Sequence, residues 1–217
     1  MGTLKRFDLR QEKEREMGLQ EAAEAVQRGQ LLLFPTDTLY GIGGNALNEE
    51  TVERVLEAKD RPKSKPLLVL IPNLEFLEFL CSPLSPWQKH CCELLWPGPI
   101  TFLLPSLPGL CPGIALEGKI GVRLPRGQPV GQILQAVDRP LVAPSANRSG
   151  EPPASTVDEA LSTFSAHVEV VLDNGRSACT SPSTVVDLQE DAFSVIRPGL
   201  VSEGEIRKAL ERIPRKA

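Results

Sequence analysis

Hydroxyl groups at the ends of short apolar runs, and cations between those runs, are the side chains here whose types and spacing could do chemistry. Pro35-Thr36-Asp37-Thr38-Leu39-Tyr40-Gly41-Ile42-Gly43-Gly44 sets two hydroxyls, a carboxylate and a phenol just beyond the apolar run Leu31–Phe34. Ligands of open α/β sheets bind beyond such strand ends. A polar turn whose hydroxyls satisfy its own backbone would read the same way. Gly41 to Ala46 also fits the loose Gly-x-Gly-x-x-Gly/Ala pattern. The dinucleotide reading fails, because a six-residue stretch, Pro35 to Tyr40, separates the strand from the first glycine and no acidic residue closes a second strand at the required distance. No Gly-x-x-x-x-Gly-Lys-Ser/Thr loop is present.

Lys59-Asp60-Arg61-Pro62-Lys63-Ser64-Lys65-Pro66 gathers cations in a segment that two prolines hold extended, a form suited to gripping polyphosphate. Solvated surface is the plainer meaning of such a charge run. Arg123 lies inside the apolar run Ile120–Leu124, where a charge must be paired or face a ligand. Ala143 to Gly150, with Ser145 and Asn147, again follows a short apolar strand, and Ser183-Thr184 and Arg197-Pro198-Gly199 repeat the arrangement. Polar groups placed repeatedly at strand edges are how a rigid sheet builds a composite site. His90 and His167 stand outside these segments, so no Ser-His-Asp or Cys-His set forms and the chemistry rests on positioning and cations.

The elements that must position these groups alternate along the chain. Leu19, Ala22, Ala23 and Val26 repeat at helical spacing up to Gly29; Leu31–Phe34 is a strand buried on both faces; Thr36–Gly44 reads as a loop. Asn48 caps a helix ending near Lys59, and Leu67–Ile71 is a strand. Ser85 with Gln88 caps a helix towards Trp96, and strands follow at Thr101–Leu104, Ile120–Leu124 and Leu141–Ala143, with a helix over Val130–Val137. Ser155 with Asp158 predicts another capping box. Strands at Val168–Leu172, Thr184–Leu188 and Ser194–Ile196 precede a helix capped by Ser202 and Glu205. Some neighbouring strands lack a helix-length connection, so the sequence predicts an open, mixed α/β sheet. We read one domain over residues 1–217, with a core at about 19–210 and a charged segment 1–15.

Composition narrows the function classes. A net charge of −4 argues against broad, salt-sensitive clinging to nucleic acid. Five cysteines in an odd set without Cys-x-x-Cys spacing predict buried thiols rather than a disulfide framework or a zinc site. With no apolar stretch near the start, the expected setting is the cytoplasm or an equivalent reducing space, with no membrane.

The ordered segments together carry a resemblance. Pro35-Thr36-Asp37-Thr38-Leu39-Tyr40-Gly41, Lys59-Asp60-Arg61-Pro62, Trp96-Pro97-Gly98-Pro99-Ile100-Thr101, Val122-Arg123-Leu124-Pro125, Ser145-Ala146-Asn147-x-Ser149-Gly150, Pro182-Ser183-Thr184-Val185-Val186-Asp187 and Arg197-Pro198-Gly199 resemble the YrdC family of threonylcarbamoyl-AMP synthases over Leu19 to Leu210. The resemblance implies a twisted α/β sheet with a large concave face. It implies nucleotidyl transfer from ATP, with magnesium, to a carbamate made from L-threonine and bicarbonate, for N6-threonylcarbamoyladenosine at position 37 of tRNA. A downstream threonylcarbamoyl transferase complex would finish the modification. Carried over by motif, Thr36, Thr38 and Ser183 hold threonine, Lys59 and Arg61 are catalytic, and Arg61, Lys65, Thr101, Ser145, Asn147 and Arg197 line the nucleotide site. The chain departs from the family at Val69-Leu70-Ile71 and Arg126-Gly127, where many relatives carry histidines, and only one helix follows Arg197-Pro198-Gly199, the short form. Two other functions fit the residues. One is a related enzyme with altered substrate use. The other is a module binding double-stranded RNA or tRNA through Arg54, Lys59, Arg61, Lys63 and Lys65.

Overall fold

Opposite faces of single strands feed two cores, and that sets the architecture. Leu32 and Phe34 of strand β2 (Leu32–Pro35) pack with Ala22, Ala25 and Val26 of helix α1 (Glu12–Gln27) and with Val130, Ile133 and Leu134 of helix α4 (Val130–Val137). Leu31 and Leu33, with opposite side-chain parity, join Val52, Val55 and Leu56 of helix α2 (Glu49–Ala58) in the other core. Strand β4 (Val69–Leu70) divides the same way, with Leu70 on one side and Val69 on the other. Alternation at period two in a strand buried on both faces requires this split.

The computed structural model describes residues 4–177, 179 and 181–211. It contains a four-stranded sheet in the order β1-β9-β2-β3 and a seven-stranded sheet in which β11-β10-β5-β7-β4-β8 run in order and β6 pairs with β7. The strands not yet introduced are β1 (Lys5–Asp8), β3 (Tyr40–Gly43), β5 (Ile100–Pro105), β6 (Ala115–Leu116), β7 (Lys119–Arg123), β8 (Leu141–Val142), β9 (Val170–Asp173), β10 (Thr184–Leu188) and β11 (Phe193–Arg197). Parallel pairs such as β5 with β10 and β4 with β7 alternate with antiparallel ones such as β5 with β7. The mixed, open α/β character expected from the sequence is therefore present.

Several expectations are corrected. A single sheet was expected; two form, joined along β3 and β8 by an irregular seam of backbone hydrogen bonds, Ile42 N to Pro144 O at 3.1 Å, Val142 N to Gly44 O at 2.9 Å and Ala146 N to Tyr40 O at 2.7 Å. The seam requires Gly43, where an added Cβ would lie 1.6 Å from the Val142 carbonyl oxygen. The stretch Thr36–Gly44 is a tight turn followed by β3, because Tyr40 and Ile42 fill the core beside β2. The charged start contains β1, parallel to β9, and α1 begins at Glu12, so the core extends ahead of residue 19 to include Leu9. The fifth helix, α5 (Val157–Phe164), is capped by Thr156, whose Oγ1 accepts from the Glu159 amide at 3.2 Å, one residue beyond the Ser155 cap expected. A 3-10 helix over Leu74–Phe79 and strand β6 had no clear sequence signal.

Other local readings hold. Asn48 caps α2, and full capping boxes start α3 (Pro86–Leu95) at Ser85 and α6 (Glu203–Leu210) at Ser202. Parts of the basic end, 212–216, of the charged start, 1–3, and of the Ser177–Pro182 segment, 178 and 180, lie outside the described residues. Among the described residues no helix is long and apolar enough to cross a membrane.

Candidate active site

On β5, β7 and β10, Phe102, Leu104, Ile120, Val122, Val186 and Leu188 fill the core. Thr101, Leu103, Gly121, Arg123 and Val185 instead line a cavity of about 400 Å³ on the opposite face of the sheet from that core. The β2–β3 turn closes one end with Thr36 and Thr38, the Lys59–Pro66 segment brings Arg61 and Lys65, the seam brings Ser145, and the β10 and β11 ends bring Ser183 and Arg197. Arg61, Lys65, Arg123 and Arg197 line this cavity, and among the described residues no Asp or Glu does. Only Arg123 of these four has a carboxylate partner among the described residues.

Arg123 is the most confined of them, 1% exposed. Its Nη2 lies 3.0 Å from Asp37 Oδ1, Nη1 reaches Thr38 Oγ1 at 3.4 Å, and Nε has no hydrogen-bond partner. Burial pushes its pKa down; Asp37 opposes the shift and Arg197 adds to it. Arg61, half-buried, donates from Nε to Lys65 O at 2.6 Å and from Nη2 to Pro66 O at 3.2 Å, which curls the basic segment around its own guanidinium. Burial, then Arg197, lowers its pKa as well. Guanidinium groups whose pKa values burial lowers, Arg197 adding to the shift of Arg61 and Arg123, form a site whose electrostatic deficit an anion relieves.

The hydroxyls are held in pairs. Thr36 Oγ1 lies 3.0 Å from Thr38 Oγ1 and donates to Leu39 O at 2.6 Å. Thr101 Oγ1 lies 2.8 Å from Ser183 Oγ, beside which Arg197 Nη2 donates to Ser183 O at 2.8 Å. Because each hydroxyl has one proton, the Thr101/Ser183 pair can present a proton and a lone pair to a substrate, whereas Thr36 spends its proton on Leu39 O and Thr38 spends its own within the pair, leaving a Thr38 lone pair to offer.

Eight of the ten residues singled out from the sequence line the cavity: Thr36, Thr38, Arg61, Lys65, Thr101, Ser145, Ser183 and Arg197. Lys59 and Asn147 stand behind it. Lys59, 2% exposed, points its ammonium at the carbonyl oxygens of Ser145 and Asn147. Burial, then Arg61, lowers its pKa to about 8. Asn147 accepts from Ser145 Oγ at 2.5 Å and donates to Glu151 O at 2.7 Å, bracing the same loop. Of the five cations that could have formed an RNA-binding patch, Arg61 and Lys65 line the cavity and the other three are engaged or buried. Arg54 pairs with Glu169 at 2.7 Å, Lys63 pairs with Glu53, and Lys59 is buried.

Sequence reasoning missed the apolar walls, Leu67, Leu103, Val185 and Ile196, whose strand positions gave no sign of which face was open. It also missed a neighbouring cavity of about 580 Å³ lined by Asp37, Arg126, Gln128, Asn174 and Arg176 among others; the Thr36–Tyr40 turn is a wall of both. We place the chemistry in the smaller cavity, because the confined cations converge there. His90 and His167 are exposed and line neither cavity. Cys81, Cys91 and Cys92 are buried, and burial pushes the Cys81 and Cys91 thiols up to about 12, so these three are inert at neutral pH.

Open mixed sheets with a cationic cavity that no Asp or Glu among the described residues lines make a site whose charge suits a polyanionic small molecule. The Sua5/YciO/YrdC family model, described as "Telomere recombination", matches residues 24–199, and the chain belongs to that family. It is 35% identical over 194 residues to a threonylcarbamoyl-AMP synthase of Pyrococcus abyssi, covering 88% of this chain and 57% of that protein. A threonylcarbamoyl-AMP synthase of Photobacterium profundum is 31% identical over 188 residues, covering 83% of this chain and 98% of the relative. The crystal structure of P. abyssi Sua5 complexed with L-threonine superposes with a TM-score of 0.84 at 32% identity, covering 97% of this chain and 61% of that one. The chain thus spans less than two thirds of the length of the P. abyssi relative.

Proposed function

We propose that the chain is an L-threonylcarbamoyladenylate synthase, which joins L-threonine, bicarbonate and ATP into threonylcarbamoyl-AMP and pyrophosphate. The observation that carries this reading is the convergence of Arg61, Arg123 and Arg197 in an acid-free cavity with the hydroxyl pairs Thr36/Thr38 and Thr101/Ser183 at its edges. The binding of L-threonine by a structural relative and the names of two sequence relatives support the substrate assignment.

The threonine amine combines with carbon dioxide drawn from bicarbonate, losing a proton and leaving a carbamate. A carbamate oxygen then bonds to the α-phosphorus as the bond to pyrophosphate breaks. Charge grows on the phosphoryl and leaving oxygens together, and Arg61, Lys65 and Arg197 meet it as positioned donors. Arg123 meets the threonine carboxylate beside Thr36 and Thr38, and Ser183 orients the hydroxyl end. Lys59 and Asn147 serve this chemistry from behind, by fixing the loop that presents Ser145 to the nucleotide. Holding a labile carbamate in line with ATP supplies the remainder of the rate.

Magnesium enters as the metal complex of ATP. The residues here do not fit a metal held by the protein: no group of three or more His, Cys, Asp or Glu gathers among the described residues, and Asp37 is engaged by Arg123 and the Arg126 amide. The product is the activated intermediate for N6-threonylcarbamoyladenosine at position 37 of tRNA, taken up by a separate transferase complex, and the reaction belongs in the cytoplasm. The test is mass analysis of the nucleotide formed from ATP, threonine and isotopically labelled bicarbonate. The label is expected in an adenylate; label absent from every adenylate would refute the reading.

A further inference from the structure

One carboxylate stands between the two cavities. Asp37 sits in the Thr36–Tyr40 turn, with its side chain 9% exposed, and each of its oxygens faces a different element. Oδ1 lies 3.0 Å from Nη2 of Arg123, which lines the smaller cavity from the end of β7; the contact is an ion pair without hydrogen-bond geometry, so it acts on the guanidinium by charge. Oδ2 accepts from the backbone amide of Arg126 at 3.1 Å, at the start of the 126–129 segment that walls the larger cavity. Arg126 in turn donates from Nε to Pro97 O at 3.0 Å, which ties that segment to the turn before β5. On its other side the Thr36–Tyr40 turn is held by Ser177 Oγ, which donates to Thr38 O at 2.7 Å.

From this geometry we infer that Asp37 is a positioning residue for the proposed reaction: it aims Arg123 into the substrate cavity and fixes the 126–129 segment in the same stroke. The inference rests on the proposed function only in assigning Arg123 to the threonine carboxylate. Two features support it. Asp37 is the sole carboxylate partner of Arg123 among the described residues, and the guanidinium has no acceptor at Nε, so its direction depends on Asp37 and on the longer contact to Thr38. The turn is also tied on both sides, by the Arg126 amide on Asp37 and by Ser177 Oγ on Thr38 O, so a shift at Asp37 is felt in both cavities. A buried guanidinium without its carboxylate would reorient towards the nearest lone pairs, and an arginine moved by an ångström no longer meets a substrate carboxylate with paired donors.

The experiment uses the full chain and its Asp37→Ala and Asp37→Asn variants. Steady-state kinetics with threonine and ATP varied separately are combined with hydrogen exchange at the Arg126 amide. Asp37→Ala removes the charge beside Arg123 and the acceptor of the Arg126 amide. It is expected to raise the KM for threonine about tenfold or more, to leave the KM for ATP within about threefold, and to speed Arg126 exchange about tenfold. Asp37→Asn offers one acceptor oxygen to two donors, keeps the side-chain volume and is expected to give the same split at smaller size; it decides the matter should Asp37→Ala fail to fold. Threonine and ATP constants that rise together, or an Arg126 amide that exchanges at the wild-type rate in both variants, would overturn the positioning role. Wild-type protein that releases no pyrophosphate with threonine would defeat the functional reading instead, while the Arg126 exchange rate would still decide whether Asp37 holds the segment.

Discussion

Replacing Lys59 by methionine separates a buried cation's structural cost from its use. The ammonium is 2% exposed, and burial, then Arg61, lowers its pKa from 10.5 to about 8. Between those values the unfolded chain holds a proton that the folded chain has lost, so stability rises with pH across that window. Below about pH 8 both states are charged, and the folded state carries the full penalty of burial. From pH 7 to pH 9.5 the titration contributes about 2 kcal/mol of added stability, at 1.36 kcal/mol per pH unit above the folded pKa. Lys59→Met has no such titration, and it leaves the carbonyl oxygens of Ser145 and Asn147 without their donor. Urea denaturation of both proteins at pH 7 and pH 9.5 cancels every other titrating group. The wild type is expected to gain about 2 kcal/mol relative to the variant over that interval, if both unfold in two states. A stability difference that does not change with pH would refute the burial of a charged lysine behind the Ser145 loop, as would a wild type that loses stability relative to the variant as pH rises.

Arg61→Ala is expected to cut synthesis by about 10²–10³ in kcat while circular dichroism stays native, because the side chain is half-buried and its bonds run to local carbonyls. Ser183→Ala removes one member of the Thr101–Ser183 pair and is expected to raise the KM for threonine about tenfold with a smaller effect on ATP, read from initial rates. Gly43→Ala would put a Cβ 1.6 Å from the Val142 carbonyl oxygen, forcing β3 and β8 apart at a cost of more than about 3 kcal/mol; thermal melting checks it.

Much of the site was legible because its residues sit at strand ends, where period-two burial stops and polar types appear. Thr36, Thr101, Ser145, Ser183 and Arg197 all follow that rule, and the cavity gathers them from β2 to β11. Lys59 reads in sequence like Arg61, yet their roles diverge. Lys59 directly follows the last residue of α2, on the buried side, whereas Arg61 lies beyond the positive-φ residue Asp60 and turns back over the cavity. Nothing in the sequence distinguishes those directions. Strand β3 was hidden for another reason: three glycines among residues 41–44 look like a loop, but two of them permit close backbone approach, Gly43 to β8 and Gly44 to Gln30. The second cavity depends on packing between the 36–40 turn and segments far along the chain, at Pro99, Arg126–Pro129 and Asn174–Ser177, and no local pattern encodes it.

The most direct test of the central claim is pyrophosphate release from ATP by the full chain, with each amino acid supplied in turn and bicarbonate present or withheld. The account predicts release that requires both L-threonine and bicarbonate and that falls sharply in Arg61→Ala. Release equally fast with another amino acid, or without bicarbonate, would contradict it.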